Sequence, residues 1–327
     1  MFNWQRVFIT GGTGSFGKVM TKKLLELYPN VNIVIYSRDE LKQFDFMNEL
    51  ENDKRVKFII GDVRDYERLK YAMTGSNFVI HSSALKQVPA GEGNPLEFVK
   101  TNINGAENVA RASVELNISK VIALSTDKAS NPVNLYGATK LVSDKIFTSY
   151  NNNALHLHRD TILSVVRYGN VANSRGSVIP FFKQKIKENA DALPVTSKDM
   201  TRFLISISYA VQFVIGQFYS MKGGEIFVPK LPSVNMFLLA EVMKTDKMKI
   251  EIIGVRDGEK LSESMISETD SFSTVDDEDY YTIYQNLDNV DKNSSRDRLV
   301  PKGFTYESGT NPEFLSSGDI QDFLDSL

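Results

Sequence analysis

Short apolar runs alternate with amphipathic stretches along the first half of the chain. Six runs have the length and the flanking polar or glycine residues of buried strands, and they cover residues 6–10, 31–36, 56–60, 77–81, 120–124 and 161–167. Helices are predicted between them, over 18–27, over 95–114 and from Lys140 to about Tyr150. This alternation predicts an α/β fold with a Rossmann-like, doubly wound parallel sheet.

The regular alternation fades after residue 171, where prolines break the chain into short elements. We therefore predict a dinucleotide-binding domain over 1–171. A smaller, mixed α/β substrate lobe is predicted over 172–327, with room for strands that return to the first sheet. Residues 203–218 are expected to form a core helix, and the acidic stretch 271–279 a loop or an interaction edge.

Composition narrows the class of protein. The 327 residues carry a net charge of −3, so no basic surplus favours nucleic acid or an acidic membrane surface. The chain has no cysteine, which excludes disulfides and thiolate metal sites. No apolar signal core precedes Gly11, and the stretch 203–218 is too often interrupted by polar residues to span a membrane. We expect a cytoplasmic protein without a membrane or nucleic-acid partner.

A glycine turn follows the first predicted strand. Gly11, Gly14 and Gly17 have the spacing G-x-x-G-x-x-G between a strand and an amphipathic helix. Glycines in this context let the backbone approach a pyrophosphate at the positive end of the helix. The alternative is a tight surface turn.

The second strand ends at the position where a dinucleotide fold meets the adenosine ribose. Ser37 and Arg38 suit a 2′-phosphate, which favours NADP, while Asp39 keeps NAD open. Asp62, after the third strand, is expected either at the adenine or as a helix cap. Lys86 follows small residues after the fourth strand, and could contact the cofactor or lie on the surface.

A reactive cluster follows the fifth strand. Tyr136 and Lys140 lie one helical turn apart, and Lys140 together with a cationic nicotinamide is expected to lower the phenol pKa, so that Tyr136 can act as a base. Thr126 can hydrogen-bond the same alcohol oxygen. Asp127 and Lys128 add an acid/base pair suited to eliminating water next to a newly formed ketone. The alternatives are a chance helical pair and an exposed Asp-Lys turn.

Other polar residues carry weaker signals. His156 and His158 lie in a predicted loop without further ligands, so no metal is expected, and His81 is expected to form a local hydrogen bond. Four basic residues of the lobe could bind a nucleotide diphosphate or be ordinary surface charges. They are Arg202, Lys230, Arg256 and Lys260.

Taken together, these motifs resemble the extended short-chain dehydrogenase/reductase superfamily. Within it the chain is similar to the inverting UDP-N-acetylglucosamine 4,6-dehydratases of the pseudaminic acid pathway. The shared stretches are ITGGTGSFGK, YSRDELKQ, GDVRD, ALKQVP, STDKA, NLYGATKL, VRYGNV, RGSVIPFF, MTRF, GGEIFVPK, GEKL and GFTYESGTNPEFLS.

The resemblance implies a role for each matching residue. Tyr136 and Lys140, with Thr126, would serve oxidation at C4 of the sugar, Lys128 would take the C5 proton, and Asp127 would protonate the departing C6 hydroxyl. The implied NADP site comprises Gly11, Thr13, Gly14, Ser15, Phe16, Gly17, Ser37, Arg38, Asp62, Val63, Ala84, Lys86, Tyr136 and Lys140. The implied UDP-sugar site in the lobe and at its border comprises Lys86, Asn170, Val178, Arg202, Arg256 and Glu259.

The resemblance also implies a homo-oligomer, either a dimer or a hexameric ring of dimers, and a product used for surface or flagellar sugars. Some positions depart from the family pattern, among them Gln87, Asp257 and Ser262. Two alternatives are a UDP-hexose 4-epimerase and a non-catalytic NADP-binding sensor. An epimerase needs no acid/base pair for water loss, so Asp127 and Lys128 favour the dehydratase.

Overall fold

One large sheet and three small ones contain the strands of the protein. The computed structural model describes residues 4–174 and 176–327, so Arg175 of the RGSVIPFF stretch lies outside the described residues. The strands are β1 Arg6–Thr10, β2 Asn32–Ser37, β3 Val56–Ile60, β4 Phe78–His81, β5 Lys120–Thr126, β6 Ile162–Tyr168, β7 Asn170–Val171, β8 Ala192–Val195, β9 Thr201–Ile205, β10 Ile226–Pro229, β11 Ser233–Asn235, β12 Lys249–Ile252, β13 Ser264–Ile266, β14 Thr274–Asp276, β15 Tyr280–Ile283 and β16 Tyr306–Glu307.

Helices cover the faces of the large sheet and build the lobe beside it. They are α1 Ser15–Leu27, α2 Glu40–Glu49, α3 Tyr66–Met73, α4 Val88–Gly93, α5 Pro95–Phe98, α6 Gly105–Glu115, α7 Leu135–His156, α8 Val178–Lys187, α9 Ile207–Ser220, α10 Met236–Met243, α11 Leu287–Asn293 and α12 Ser317–Asp325. A π-helical segment, Val99–Asn104, joins α5 to α6. Among the described residues, no helix combines the length and the apolar character that a membrane crossing requires.

The large sheet has nine strands in the order β14-β15-β10-β6-β5-β4-β1-β2-β3. In this sheet the seven strands β10, β6, β5, β4, β1, β2 and β3 run parallel to one another. The strands β15 and β14 add an antiparallel edge beside β10. The order reverses beside β1, where α/β sheets of this kind bind ligands outside the carboxyl ends of their strands. The α/β class and the doubly wound parallel sheet predicted from the sequence are confirmed.

The apolar runs form strands because the sheet is covered on both faces. Val7, Phe8 and Ile9 of β1 are fully buried, as are Val121 and Ile122 of β5. Continuous apolar runs are what a buried parallel sheet requires. All six predicted strands are confirmed to within two residues at either end.

Residues beyond 171 contribute to both parts of the molecule. β10, β14 and β15 lie in the large sheet, while β7, β9 and β11 form a separate three-stranded sheet. A second apolar core, which includes Phe182, Leu193 and Leu239, belongs to the lobe. The division of the chain at residue 171 into a cofactor domain and a substrate lobe stays a prediction.

Two predicted helix boundaries are wrong. The stretch 203–218 is not one helix, because β9 runs to Ile205 and the extended Ser206 caps α9 through a hydrogen bond from Tyr209 N to its Oγ. Helix α7 does not end near Tyr150 but continues to His156, because Asn151 is buried and its Oδ1 accepts a hydrogen bond from Leu163 N.

The predicted loop over 271–279 is also wrong in part. It contains the end of a 3₁₀ turn and the edge strand β14.

Candidate active site

A cavity of about 1150 Å³ opens at the carboxyl ends of the central strands. Its wall contains every residue of the implied cofactor and UDP-sugar sites and, of the reactive cluster after β5, all but Asp127. The glycine turn, the end of β2, the pair of Tyr136 and Lys140, and the pair of Arg256 and Glu259 all line it. The fold therefore joins the predicted cofactor and substrate positions in one continuous space.

The glycine turn has the geometry of a phosphate cradle. Gly11 has a positive φ of 63°, which favours glycine. A Cβ on Gly17 would lie 2.5 Å from the Gly12 backbone, so α1 can pack this close only without a side chain. Gly14 is the N-cap of α1 and offers no side-chain cap, and the first turn of the helix carries no acidic residue. This end of α1 fits the pyrophosphate of a dinucleotide.

The end of β2 presents an arginine and an engaged aspartate. Asp39 caps α2 by accepting a hydrogen bond from Lys42 N and pairs with Lys42 Nζ at 2.6 Å. Arg38 is 53% exposed at its side chain and lies 3.6 Å from Asp62.

Asp62 is tied to an arginine in its own loop. Although burial opposes it, the hydrogen bonds from Arg64 hold the pKa of Asp62 below its usual range. The cap of α3 is Asp65, so the alternative that Asp62 caps this helix is wrong.

Helix α7 delivers Tyr136 and Lys140 to the centre of the cavity. Asn134 caps the helix by accepting a hydrogen bond from Gly137 N at 2.8 Å. Gly137 packs directly on the carbonyl of Lys128, which docks the start of α7 on the turn after β5. Lys140 is buried and donates to Leu124 O at 2.8 Å, and burial lowers its pKa.

The phenol of Tyr136 differs from the sequence-based expectation. Burial raises the pKa of Tyr136 to about 12, against the opposing effects of the Lys128 charge and a hydrogen bond with Thr126. The expected lowering of the phenol pKa is therefore absent in the protein alone. The positive charge that acts on the phenol belongs to Lys128.

Asp127 and Lys128 form an ion pair at the end of β5, in which Asp127 is buried and Lys128 is partly exposed. Asp127 is 0% exposed, so the alternative of an exposed Asp-Lys turn is wrong. Its Oδ1 accepts hydrogen bonds from Thr126 Oγ1 at 2.8 Å and from Lys128 Nζ at 3.1 Å. Its Oδ2 is buried without a hydrogen-bond partner. Lys128 Nζ also lies 3.4 Å from Asn170 Oδ1, which brings a predicted substrate residue to the same centre.

Sequence reasoning missed Glu263. This buried carboxylate comes from the segment just before β13, and its Oε1 lies 3.1 Å from Lys128 Nζ. Burial acts against the charge of Lys128, but Asp127 and Glu263 together raise the pKa of Lys128 above its ordinary value. The available signal was a glutamate two residues after the GEKL stretch and just before a short strand, which does not by itself predict contact with β5.

The predicted substrate residues Arg202, Arg256 and Glu259 also line the cavity. Arg202 is buried and donates to the carbonyls of Thr201, Lys260 and Leu261, so it braces the segment that leads to Glu263. Arg256 pairs with Glu259 at 2.9 Å.

Four further positions, three lysines and one residue at a helix start, have separate surroundings. Val178 begins α8 at the cavity wall, and Lys86 lines the cavity near Lys128. Lys230 lies elsewhere and pairs with Asp276, while Lys260 donates to Ser130 O.

The histidines lie outside the reactive centre. His81 shares a hydrogen bond of 2.8 Å with Thr10, which confirms the expected local bond. His156 is the last residue of α7 rather than part of a loop. Over residues 4–174 and 176–327, no three histidine, aspartate or glutamate side chains are grouped as metal ligands.

Comparison with known proteins identifies the family. The sequence profile described as "Polysaccharide biosynthesis protein" matches residues 7–285. A Campylobacter jejuni protein of serotype O:23/36, named UDP-N-acetylglucosamine 4,6-dehydratase (inverting), is 50% identical over 99% of this chain and 98% of its own length. A Rickettsia canadensis protein named UDP-glucose 4-epimerase is 43% identical over 86% of this chain and 84% of its own.

Among solved structures, Pen from Bacillus thuringiensis matches with a TM-score of 0.90 and 34% identity, covering 100% of this chain and 99% of the other. The chain therefore belongs to the polysaccharide biosynthesis protein family, together with relatives named as inverting UDP-N-acetylglucosamine 4,6-dehydratases.

Proposed function

We propose that this protein is an NADP-dependent, inverting UDP-N-acetylglucosamine 4,6-dehydratase. The observation that carries the proposal is the ion pair of Asp127 and Lys128, 3.1 Å apart, at the same cavity as Tyr136 and Lys140. A site that only oxidises and reduces an alcohol needs Tyr136 and Lys140 alone. Asp127 and Lys128 supply the acid and the base that elimination of water requires.

The residues divide the reaction between them. Tyr136 takes the proton of the C4 hydroxyl, and the Lys128 charge and Thr126 favour its phenolate against the effect of burial. A nicotinamide cofactor held beside Tyr136 and Lys140 would supply the hydride acceptor for C4 and the hydride donor for C6. Lys128 then takes the C5 proton, which the C4 ketone has acidified, while Asp127 protonates the C6 hydroxyl so that it leaves as water. Reprotonation at C5 from the opposite face inverts that carbon.

The surroundings of the ribose position support NADP over NAD. Asp39, the acid that could bind a ribose hydroxyl, is engaged as the cap of α2 and by Lys42. Arg38 instead extends an exposed guanidinium at the cavity wall, where it suits a 2′-phosphate. The Gly14 end of α1 would hold the pyrophosphate.

The UDP moiety is assigned to the lobe side of the cavity. Arg256, Glu259 and the α8 end at Val178 face this space, and Asn170 lies between it and Lys128. The exposed pair of Arg256 and Glu259 can open to offer the guanidinium to a diphosphate.

The setting of the enzyme is part of the same proposal. We propose a cytoplasmic homo-oligomer, a dimer or a hexamer, with residues 1–171 binding the cofactor and 172–327 the UDP-sugar. Its product, UDP-2-acetamido-2,6-dideoxy-β-L-arabino-hex-4-ulose, would enter surface or flagellar sugar biosynthesis of the pseudaminic acid type. The match to a polysaccharide biosynthesis family supports this placement.

A UDP-hexose 4-epimerase is the second candidate, since a relative with that name is 43% identical. The two reactions differ in mass. The purified protein incubated with UDP-N-acetylglucosamine should give a product lighter by one water, whereas a product of unchanged mass would establish the epimerase. Bound NADP with no turnover of any nucleotide sugar would favour the sensor.

A Lys128→Ala variant tests the base that the elimination of water requires. It should release water at least about 10²-fold more slowly. Oxidation of C4, visible as near-ultraviolet absorbance of the reduced nicotinamide, should persist but slow down, because Tyr136 loses the nearby Lys128 charge. Lys145→Ala, which changes an exposed lysine of α7, serves as the control and should behave as the wild type. Full dehydration by Lys128→Ala would remove Lys128 as the base.

A further inference from the structure

Glu263 is a buried carboxylate that the reaction described above does not use. Its Oε1 lies as close to Lys128 Nζ as Asp127 Oδ1 does, at 3.1 Å. Glu263 is among the residues that line the cavity, and Asp127 is not. Its second oxygen, Oε2, is buried without a hydrogen-bond partner. The centre around Lys128 therefore contains two carboxylates from two parts of the molecule.

The lobe holds Glu263 firmly in this position. Glu263 N donates to Ser308 Oγ at 2.9 Å, and Ser308 N donates to Glu263 O at 2.8 Å. Arg202 Nε lies 3.9 Å from Glu263 Oε1, while other N–H groups of Arg202 are bound to backbone carbonyls. The carboxylate is consequently a fixed negative charge beside Lys128.

We propose that Glu263 is a positioning carboxylate of the acid–base centre. It binds the Lys128 ammonium together with Asp127, and until the sugar binds it keeps on Lys128 the proton that later moves to Asp127. The inference rests on the dehydratase function proposed above and assigns a further residue to that site.

The proton balance follows from the acceptors around Lys128. An ammonium has three N–H groups, and the described acceptors are Asp127 Oδ1, Glu263 Oε1 and Asn170 Oδ1. For elimination, one proton moves from Lys128 to Asp127. Glu263 and Asn170 then hold the two remaining N–H groups, and the lone pair is left on the side of Asp127.

The same arrangement returns the centre to its starting state. The Lys128 lone pair takes the C5 proton, the C5–H electrons form the C5–C6 double bond, and the C6–O bond breaks. The departing oxygen takes the proton of Asp127 and leaves as water. Lys128 is again an ammonium, Asp127 and Glu263 are carboxylates, and no proton has been exchanged with solvent.

Groups from several elements set the charge of Lys128. Besides the two carboxylates, the charged or titratable side chains that act on it or respond to it are Arg202, Lys86, Lys260 and Tyr136. Without the Glu263 charge, Asp127 would be the one remaining carboxylate among these described groups. The cations Arg202, Lys86 and Lys260 would still act on Lys128. The pKa of Lys128 must then fall, because an opposite charge that stabilised the ammonium is lost.

The test is a Glu263→Gln variant, in which the shape of the side chain is kept and its charge removed. The pH dependence of reductive methylation of Lys128, followed by mass spectrometry on the purified protein without substrate, reports the ammonium directly. We expect the midpoint to move down by about one to three pH units. The fall of kcat/KM for water release at high pH, where the shared proton is lost, should move in the same direction. Glu268→Gln, an exposed glutamate near β13, is the matched control.

The outcomes separate this inference from the proposed function. An unchanged Lys128 midpoint in folded Glu263→Gln overturns the role of Glu263. If that variant does not fold, the wild type decides: Lys128 must be methylated at higher pH than Lys145, and an equal or lower midpoint overturns the inference. A wild type that releases no water from UDP-N-acetylglucosamine defeats the proposed function, while the methylation titration still decides whether Glu263 holds the ammonium.

Discussion

Buried carboxylates of two kinds occur in this chain. Glu225 is 2% exposed, and both of its oxygens accept hydrogen bonds, from Ser164 and from backbone N–H groups. Glu263 is 3% exposed, yet its Oε2 has no partner, and Asp127 Oδ2 has none either. A buried acceptor without a hydrogen bond costs about 1–3 kcal/mol. Both costs fall at the centre where the sugar is proposed to bind, as expected for acceptors whose bonding is completed by substrate.

Arg38 is the residue on which the choice of cofactor depends. Arg38→Ala should weaken NADP binding roughly tenfold to a hundredfold, because a charge-assisted hydrogen bond to the 2′-phosphate is lost. NAD binding should stay the same, since NAD has no phosphate at that position. Calorimetric titration of nucleotide-free protein with each dinucleotide measures both affinities.

Arg111→Ala provides the comparison for that experiment. Arg111 is an arginine of α6 that pairs with Glu115 and does not line the cavity. It should bind both dinucleotides as the wild type does. Equal losses of NAD and NADP affinity in Arg38→Ala would contradict the assignment of Arg38 to the 2′-phosphate.

At the scale of elements, the contact between the glycine turn and α1 can be tested separately from the chemistry. In Gly17→Ala the new Cβ would meet the Gly12 backbone at 2.5 Å, so strand end and helix must move apart. Overpacking of this kind typically costs about 1–3 kcal/mol. We expect a loss of that size in the free energy of unfolding by urea, together with weaker dinucleotide binding.

Gly216→Ala is the matched control, because it makes the same change in the interior of α9. A Cβ at Gly216 meets nothing within 4 Å. Alanine should therefore stabilise the helix by about 0.5–1 kcal/mol through its better helix propensity. A Gly17→Ala variant as stable as the wild type would show that the turn does not need the close approach.

The elements also show which features could be predicted from sequence. Apolar runs with polar ends placed the strands, and parallel strands bring their carboxyl ends to one edge, so the glycine turn, Tyr136 and Lys140 could be assigned to one cavity. The start of α9 could not be placed, because an apolar run continues through β9 and Ser206 alone marks the change. Glu263 could not be found because its contact with Lys128 depends on how the lobe docks on β5.

At the scale of the whole molecule, one buried arginine joins the large sheet, helix α7 and the segment around β13. Arg167 of β6 is 1% exposed, and its Nη2 lies 3.3 Å from Asp144 of α7. Its Nη1 donates to Met265 O at 2.9 Å and lies 3.4 Å from Asp270. Asp144 in turn accepts a hydrogen bond from Ser125, in the strand that carries the acid–base pair.

Removing this arginine should therefore destabilise the entire fold. Arg167→Met leaves Asp144 as a buried charge without its cation, and loss of one partner of such a pair costs about 3–5 kcal/mol. Adding Asp144→Asn should recover a large part of the loss, because the orphaned charge is then gone. Arg296→Met, which breaks an exposed pair with Asp291, should leave the free energy of unfolding nearly unchanged, because solvent screens such a pair. Urea unfolding of the four proteins measures these differences, and equal effects of Arg167→Met and Arg296→Met would show that Arg167 does not link the parts of the molecule.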